Sequence, residues 1–253
     1  MYFIDVQGTL ISDIDKTPIK GAIAFIDHLN TQKIPYILIT NNTKKSSSDF
    51  FYFLKEQGFN IEKTNYIDPL MVLQEHLHVK KIAAYGTDDF LTNLQNMNYT
   101  IDFNTPEAVL IAIKPDFTND EYAQMIEFTL QGAKLIGMHE TSIYAKNNLK
   151  YPGVGAILKM VQFATQKPYS VVGKPSKLFY TKALEKLQLQ KENIQFDDIT
   201  IISDDVVGDL VGAKELGMKT VFVTSGKFPN ENEIIPSLHV KPDMIKADIS
   251  ELL

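Results

Sequence analysis

The chain of 253 residues contains no cysteine. Disulfides, thiolate metal sites, iron–sulfur clusters and a cysteine nucleophile are therefore excluded, and the composition fits a reducing compartment. No apolar run reaches the ~20 residues that a membrane helix needs. The start, Met1-Tyr2-Phe3-Ile4-Asp5, lacks the basic segment and long apolar stretch of a secretory leader. Positive charge is in deficit: 25 Lys and Arg against 31 Asp and Glu leave a net −6. Such a chain has no global attraction for nucleic acid or anionic lipid. Its 11 Tyr and 15 Phe fall in helical or strand-core positions beside no basic run, which points to core packing and not to base stacking. No internal repeat or low-complexity tract interrupts the chain. What is left is a globular protein expected in the cytoplasm, with no nucleic-acid partner and no membrane. Its 44% hydrophobic content is ample for a core.

Short, continuous apolar runs read as buried parallel strands: Tyr2–Ile4, Tyr36–Ile39, Lys81–Tyr85, Ala108–Ile113, Ser170–Val172, Ile199–Ile202 and Thr220–Val223. Segments with helical spacing lie between them, around Ile23–Leu29, Phe50–Leu54, Tyr122–Leu130 and Phe179–Leu187. Gly58 ends the second. Asn119 with Asp120, and Ser176, are expected to cap the third and fourth. Strand followed by helix, repeated, implies an α/β fold with a mainly parallel sheet. The tail from Phe228 onward is more polar and carries three prolines. It reads as surface loop with one last short element.

Open α/β sheets hold ligands at the carboxyl ends of their strands. Four strand ends here carry polar chemistry: Asp5-Val6-Gln7-Gly8-Thr9, Thr40-Asn41-Asn42-Thr43, Gly173-Lys174-Pro175-Ser176, and Ser203-Asp204-Asp205 with Asp209. Each alone reads as a turn or a cap. Together they supply carboxylates for a hard cation, and hydroxyls, amides and an ammonium for a phosphate.

In this order the segments resemble the haloacid dehalogenase (HAD) superfamily, and within it the NagD-like, nitrophenylphosphatase-type branch, subfamily IIA. Tyr85-Gly86-Thr87 and Pro152-Gly153-Val154-Gly155-Ala156 are similar to that branch as well, as are Gly212-Ala213 and Gly217-Met218. The resemblance implies a Rossmann-like parallel-sheet core with a smaller α/β cap domain of the C2 type inserted in it. About 130 residues separate the Thr-Asn-Asn segment from Lys174, enough for a separate lobe. The core is expected at residues 1–71 and 169–253, and the cap at 72–168.

It also implies a phosphohydrolase acting on a small phosphorylated metabolite. Asp5 would be the nucleophile that forms an aspartyl phosphate. Asp5, the Gln7 backbone carbonyl and Asp204 would bind Mg²⁺, with Asp209 in support. Thr40 and the Asn41 amide would take phosphoryl oxygens, and Lys174 would offset the negative charge. Caps of this kind mediate dimer contacts in the branch, so a homodimer is left open. Asp116, His139 and Glu140 are cap candidates for substrate selection, beside Lys114, Tyr144, Lys146, Asn147 and Asn148. A solvated loop position is the plainer reading of His139 and Glu140.

The sequence departs from the family pattern at one place. The pattern is Asp-x-Asp-Gly-Thr, and its second Asp protonates the leaving oxygen and then activates water. Here that position is Gln7. An amide hydrogen-bonds but does not exchange a proton near neutral pH. Three outcomes are open: an enzyme that is slow or restricted to leaving groups needing no proton, one rescued by a cap residue, or a binding protein that holds Mg²⁺ and phosphate ligands in a regulatory role.

Overall fold

A computed structural model describes residues 1–146 and 149–253, so Asn147 and Asn148 lie outside the described residues. The chain runs β1 (Tyr2–Asp5), α1 (Ala22–Thr31), β2 (Tyr36–Ile39), α2 (Ser47–Glu56), β3 (Tyr66–Ile67), α3 (Pro69–His76), β4 (Lys81–Tyr85), α4 (Asp88–Asn96), β5 (Thr100–Ile101) and β6 (Ala108–Ile111). It continues with α5 (Asn119–Leu130), β7 (Lys134–Gly137), β8 (Ile143–Lys146), β9 (Leu149–Pro152), α6 (Val154–Thr165), β10 (Tyr169–Val171), α7 (Lys177–Gln188), β11 (Thr200–Ser203), α8 (Val211–Glu215), β12 (Lys219–Val223) and β13 (Met244–Lys246).

The residues group into two compact units. The first comprises Met1–Thr40, Ser48–Ile67 and Tyr180–Leu253, and the second Asn41–Ser47 with Asp68–Phe179. In the first, six parallel strands run in the order β13-β12-β11-β1-β2-β3. The chain winds from β1 outward through β2 and β3, then returns to build β11, β12 and β13 on the other side. The winding direction therefore changes beside β1, and a crevice opens at the strand ends of such a switch point. The inner strands are mostly apolar and, beyond their first residues, buried, because helices cover both faces of a parallel sheet. Phe3 and Tyr180 stack within this core, ring centroids 6.3 Å apart.

The second unit has its own five-stranded parallel sheet, β10-β7-β6-β4-β5, and the antiparallel pair β8-β9. Its core gathers Val109, Leu135, Met125, Ile157 and Leu158 from the sheet and from α5 and α6. Both units are thus parallel α/β layers, as the strand–helix alternation requires.

The second unit is longer than the 72–168 expected from the sequence. Tyr169, Ser170 and Val171 pair with Leu135, Ile136 and Gly137, so the strand leading to Lys174 extends the second sheet and not the core sheet. Asn41–Ser47 also falls in this unit, where Asn93 Nδ2 donates to the carbonyls of Thr43 and Lys44 at 3.2 and 3.0 Å. A buried apolar run reports that a strand is covered on both faces. It does not report which sheet the strand joins.

The cap of α5 also differs from expectation. Thr118, one residue before Asn119, accepts the Glu121 amide at 3.2 Å, and the Glu121 carboxylate receives the Thr118 amide at 2.9 Å. This reciprocal box satisfies two amides that the helix itself leaves open. Thr118→Ala is expected to destabilise the protein by ~1 kcal/mol, read as a lower denaturant midpoint with an unchanged slope. Ser176 caps α7 as expected, its hydroxyl accepting the Phe179 amide at 3.1 Å.

Candidate active site

In the first unit the polar residues stand on neighbouring strand ends. Asp5 ends β1, Thr40 follows β2, and Ser203 and Asp204 come at the end of β11, on the other side of β1. Asp5, Thr40, Ser203, Asp204 and Asp209 are all buried. Directly after β1 the chain turns on Gly8, whose φ of +79° few side chains tolerate, and the turn is closed by Gly8 N–H to Ile11 O at 2.8 Å. Thr9 Oγ1 accepts the Asp204 amide at 3.2 Å and so ties the β1 and β11 loops together.

Gln7 extends toward β2. The Thr40 hydroxyl donates to Gln7 Oε1 at 2.7 Å. Thr40 is thus bonded to the one residue in the first segment that departs from the family pattern.

Asp204 is held from above by a loop that the sequence did not single out. The Lys227 amide donates to Asp204 Oδ2 at 2.6 Å, and the Lys227 ammonium pairs with Asp205 Oδ2 at 2.7 Å. The Ser225 hydroxyl donates to the Gly8 carbonyl at 2.7 Å. Thr224-Ser225-Gly226 follows β12, so the signal that marked the other strand ends applied here too. A main-chain amide as the contacting group carries no residue-type signature.

Gly226 fits flush against the carboxylate. A Cβ there would lie 2.1 Å from Asp204 Oδ2 and 2.6 Å from Gly8 Cα. Gly226→Ala is therefore expected to displace Asp204, and a shift of ~1 Å can cost ~10²-fold in rate. Turnover and calorimetric Mg²⁺ affinity measured on the variant check this, and unchanged values for both would contradict it.

Asp205 and Asp209 support the β11 loop. Asp205 accepts the Gly208 amide at 2.8 Å and so caps the turn that follows. Asp209 accepts the Ser203 hydroxyl at 2.6 Å, and its main-chain carbonyl receives the Tyr180 hydroxyl at 3.0 Å. Burial first, and then the Asp5 carboxylate, push Asp204 well above the usual carboxylate range. Two buried carboxylates at close quarters repel, and a cation between them removes that cost.

Among the described residues no three His, Cys, Asp or Glu side chains form a metal-holding group. The donors expected from the sequence are two carboxylates, Asp5 and Asp204, and the Gln7 main-chain carbonyl. All are hard oxygen donors. That set fits Mg²⁺, which binds through one or two carboxylates and keeps several waters.

In the second unit, Lys174 is buried and its amide donates to Asn41 Oδ1 at 2.8 Å. Its carbonyl accepts the Glu140 amide at 3.2 Å. Gly173 makes this packing possible, since a Cβ there would meet the Met138 carbonyl at 2.1 Å. Asn41 and Lys174, both singled out in the sequence, thus meet through the Asn41 side chain and the Lys174 main chain.

The cap candidates are not equivalent. His139 is buried, with Nδ1 2.9 Å from Thr141 Oγ1, so its reading as a solvated loop residue is corrected. Glu140 is only partly exposed and accepts the Tyr169 hydroxyl at 2.5 Å, with Lys159 Nζ at 3.8 Å. Asp116 is exposed.

The family described as haloacid dehalogenase-like hydrolase matches residues 2–100, and HAD-hydrolase-like matches residues 171–252. Haloacid dehalogenase-like hydrolase domain-containing protein 2 of Bos taurus is 26% identical over 255 residues, spanning 99% of this chain and 94% of its own length. Acid sugar phosphatase of Staphylococcus haemolyticus (strain JCSC1435) is 26% identical over 230 residues, 89% of this chain and 85% of its own. The p-nitrophenyl phosphatase from Archaeoglobus fulgidus superposes with a TM-score of 0.83 at 20% identity, covering 99% of this chain and 97% of that one. NagD from E. coli K-12 does so with 0.77 at 21% identity, covering 99% and 96%. Its sequence motifs, its doubly wound sheet and these matches agree, and the protein belongs to the haloacid dehalogenase-like hydrolases.

Proposed function

We propose that the protein is a Mg²⁺-dependent phosphohydrolase that works on a small phosphorylated metabolite through an aspartyl phosphate on Asp5. The observation that carries this reading is the buried pair Asp5 and Asp204 on adjacent strand ends at the switch point. Such a pair calls for a cation. Relatives and fold neighbours named as phosphatases support the same chemistry.

Asp5 attacks phosphorus, and the bond to the leaving oxygen breaks. Bound between Asp5, the Gln7 carbonyl and Asp204, Mg²⁺ would offset the repulsion between carboxylate and phosphate. The Lys227 amide orients Asp204 for that role. The resemblance assigns phosphoryl oxygens to Thr40, the Asn41 amide and Lys174. Asp209, through Ser203, keeps the β11 loop in place. Gln7 has no proton to give or take, so release of a poor leaving group and activation of water are both slow.

The test is a time course with p-nitrophenyl phosphate and Mg²⁺. The expected result is a burst of nitrophenolate followed by slow turnover, both lost in Asp5→Asn and with a chelator. Turnover that survives Asp5→Asn would refute the reading. Calorimetric binding of Mg²⁺ and phosphate without any Asp5-dependent release would favour a regulatory binding protein instead.

A further inference from the structure

Resting on that reading, we propose that Gln7 restricts the protein to phosphoryl donors whose leaving group departs as a stable anion, acyl phosphates above all, and that the phosphoryl group then stays on Asp5. Two observations carry this. The first is the Thr40–Gln7 hydrogen bond. It turns Oε1 toward Thr40 and leaves the Nε2 amino group, a donor without acid–base chemistry, as what Gln7 offers on its other side. The second is that the carboxylates of this unit around Asp204 are engaged elsewhere. Asp205 is paired with Lys227 and the Gly208 amide and Asp209 with Ser203, while Asp13 is an exposed residue whose nearest cation is Lys16 at 3.7 Å. None of them stands in for the missing proton shuttle.

The chemistry then divides by leaving group. With an acyl phosphate, an Asp5 oxygen forms a bond to phosphorus and the P–O bond to the acyl oxygen breaks. The carboxylate leaves with the electron pair and takes up no proton, since carboxylic acids ionise near pH ~4. An alkyl phosphate would have to expel an alkoxide, which needs a proton. Hydrolysis of phospho-Asp5 needs water to lose a proton as it attacks. Gln7 accepts none, so the phosphoryl group persists whichever donor delivered it.

The experiment incubates the full chain and Mg²⁺ with acetyl phosphate, p-nitrophenyl phosphate or glycerol 3-phosphate. Intact mass and peptide mapping then follow the phosphoryl group on Asp5. Acetyl phosphate should load Asp5 and leave a slowly decaying adduct, and glycerol 3-phosphate should load none. Gln7→Glu keeps the side-chain length and an oxygen for the Thr40 hydroxyl while adding an ionisable group. It should shorten the adduct's lifetime by roughly 10²-fold or more, and Gln7→Asp should do the same. If wild type turns over glycerol 3-phosphate as fast as Gln7→Glu, without accumulating phospho-Asp5, the inference is overturned while an Asp5-dependent hydrolase remains. If no donor gives Asp5-dependent phosphorylation or turnover, the proposed function falls with it.

Discussion

Gln7→Asp is expected to raise kcat for an alkyl phosphate monoester by roughly 10²–10⁴-fold, the usual contribution of a positioned acid–base group. Both half-reactions gain, because one carboxyl group protonates the leaving oxygen and then draws the proton from water. The Asp side chain is one methylene shorter than Gln, so part of the gain can be lost to imperfect placement. The Thr40 hydroxyl, now on Gln7 Oε1 at 2.7 Å, is a ready partner for the new carboxylate. Comparing kcat of the two proteins on glycerol 3-phosphate measures the effect. Equal values would mean that another group already supplies the proton. The cap residues Asp116, His139 and Glu140 would then be the first to mutate.

Asp204→Ala should abolish Mg²⁺ binding in calorimetry and bring turnover to background. It removes one of the two carboxylates proposed to hold the cation, and Asp5 with a main-chain carbonyl is a poor site for a cation that dehydrates reluctantly. Stability reports the same loss. A ligand that binds only the folded state at ~100 times its Kd stabilises by ~2.7 kcal/mol. The wild type should therefore melt higher with Mg²⁺ than without. In Asp204→Ala that increment should vanish. Without Mg²⁺ the variant should lie near the wild type, since relief from the Asp5 repulsion offsets the lost Lys227 contact. Unchanged Mg²⁺ affinity would remove Asp204 from the metal site.

Much of this was open to reading from the residues in order. Runs such as Tyr36–Ile39 and Ile199–Ile202 are mainly apolar because both faces of a parallel sheet are covered, and they supply the strands β2 and, from Thr200, β11. The polar residue that stops such a run sits at the sheet's carboxyl end, so Asp5, Thr40 and Asp204 could be named in advance, and Gln7 stood out against them. Other features had no local signal. Strands β3 and β5 are two residues long, too short for any period to register. β13, in the polar tail, exists because Met244, Ile245 and Lys246 find the free edge of β12. That β10 joins the second sheet, that Lys227 grips Asp204 through a main-chain amide, that His139 is covered and that Thr40 bonds to Gln7 were decided only in three dimensions. Sequence pattern encodes burial and period. Pairing partners and main-chain contacts depend on which segments the folded chain brings side by side, and that is settled by the packing of the whole unit.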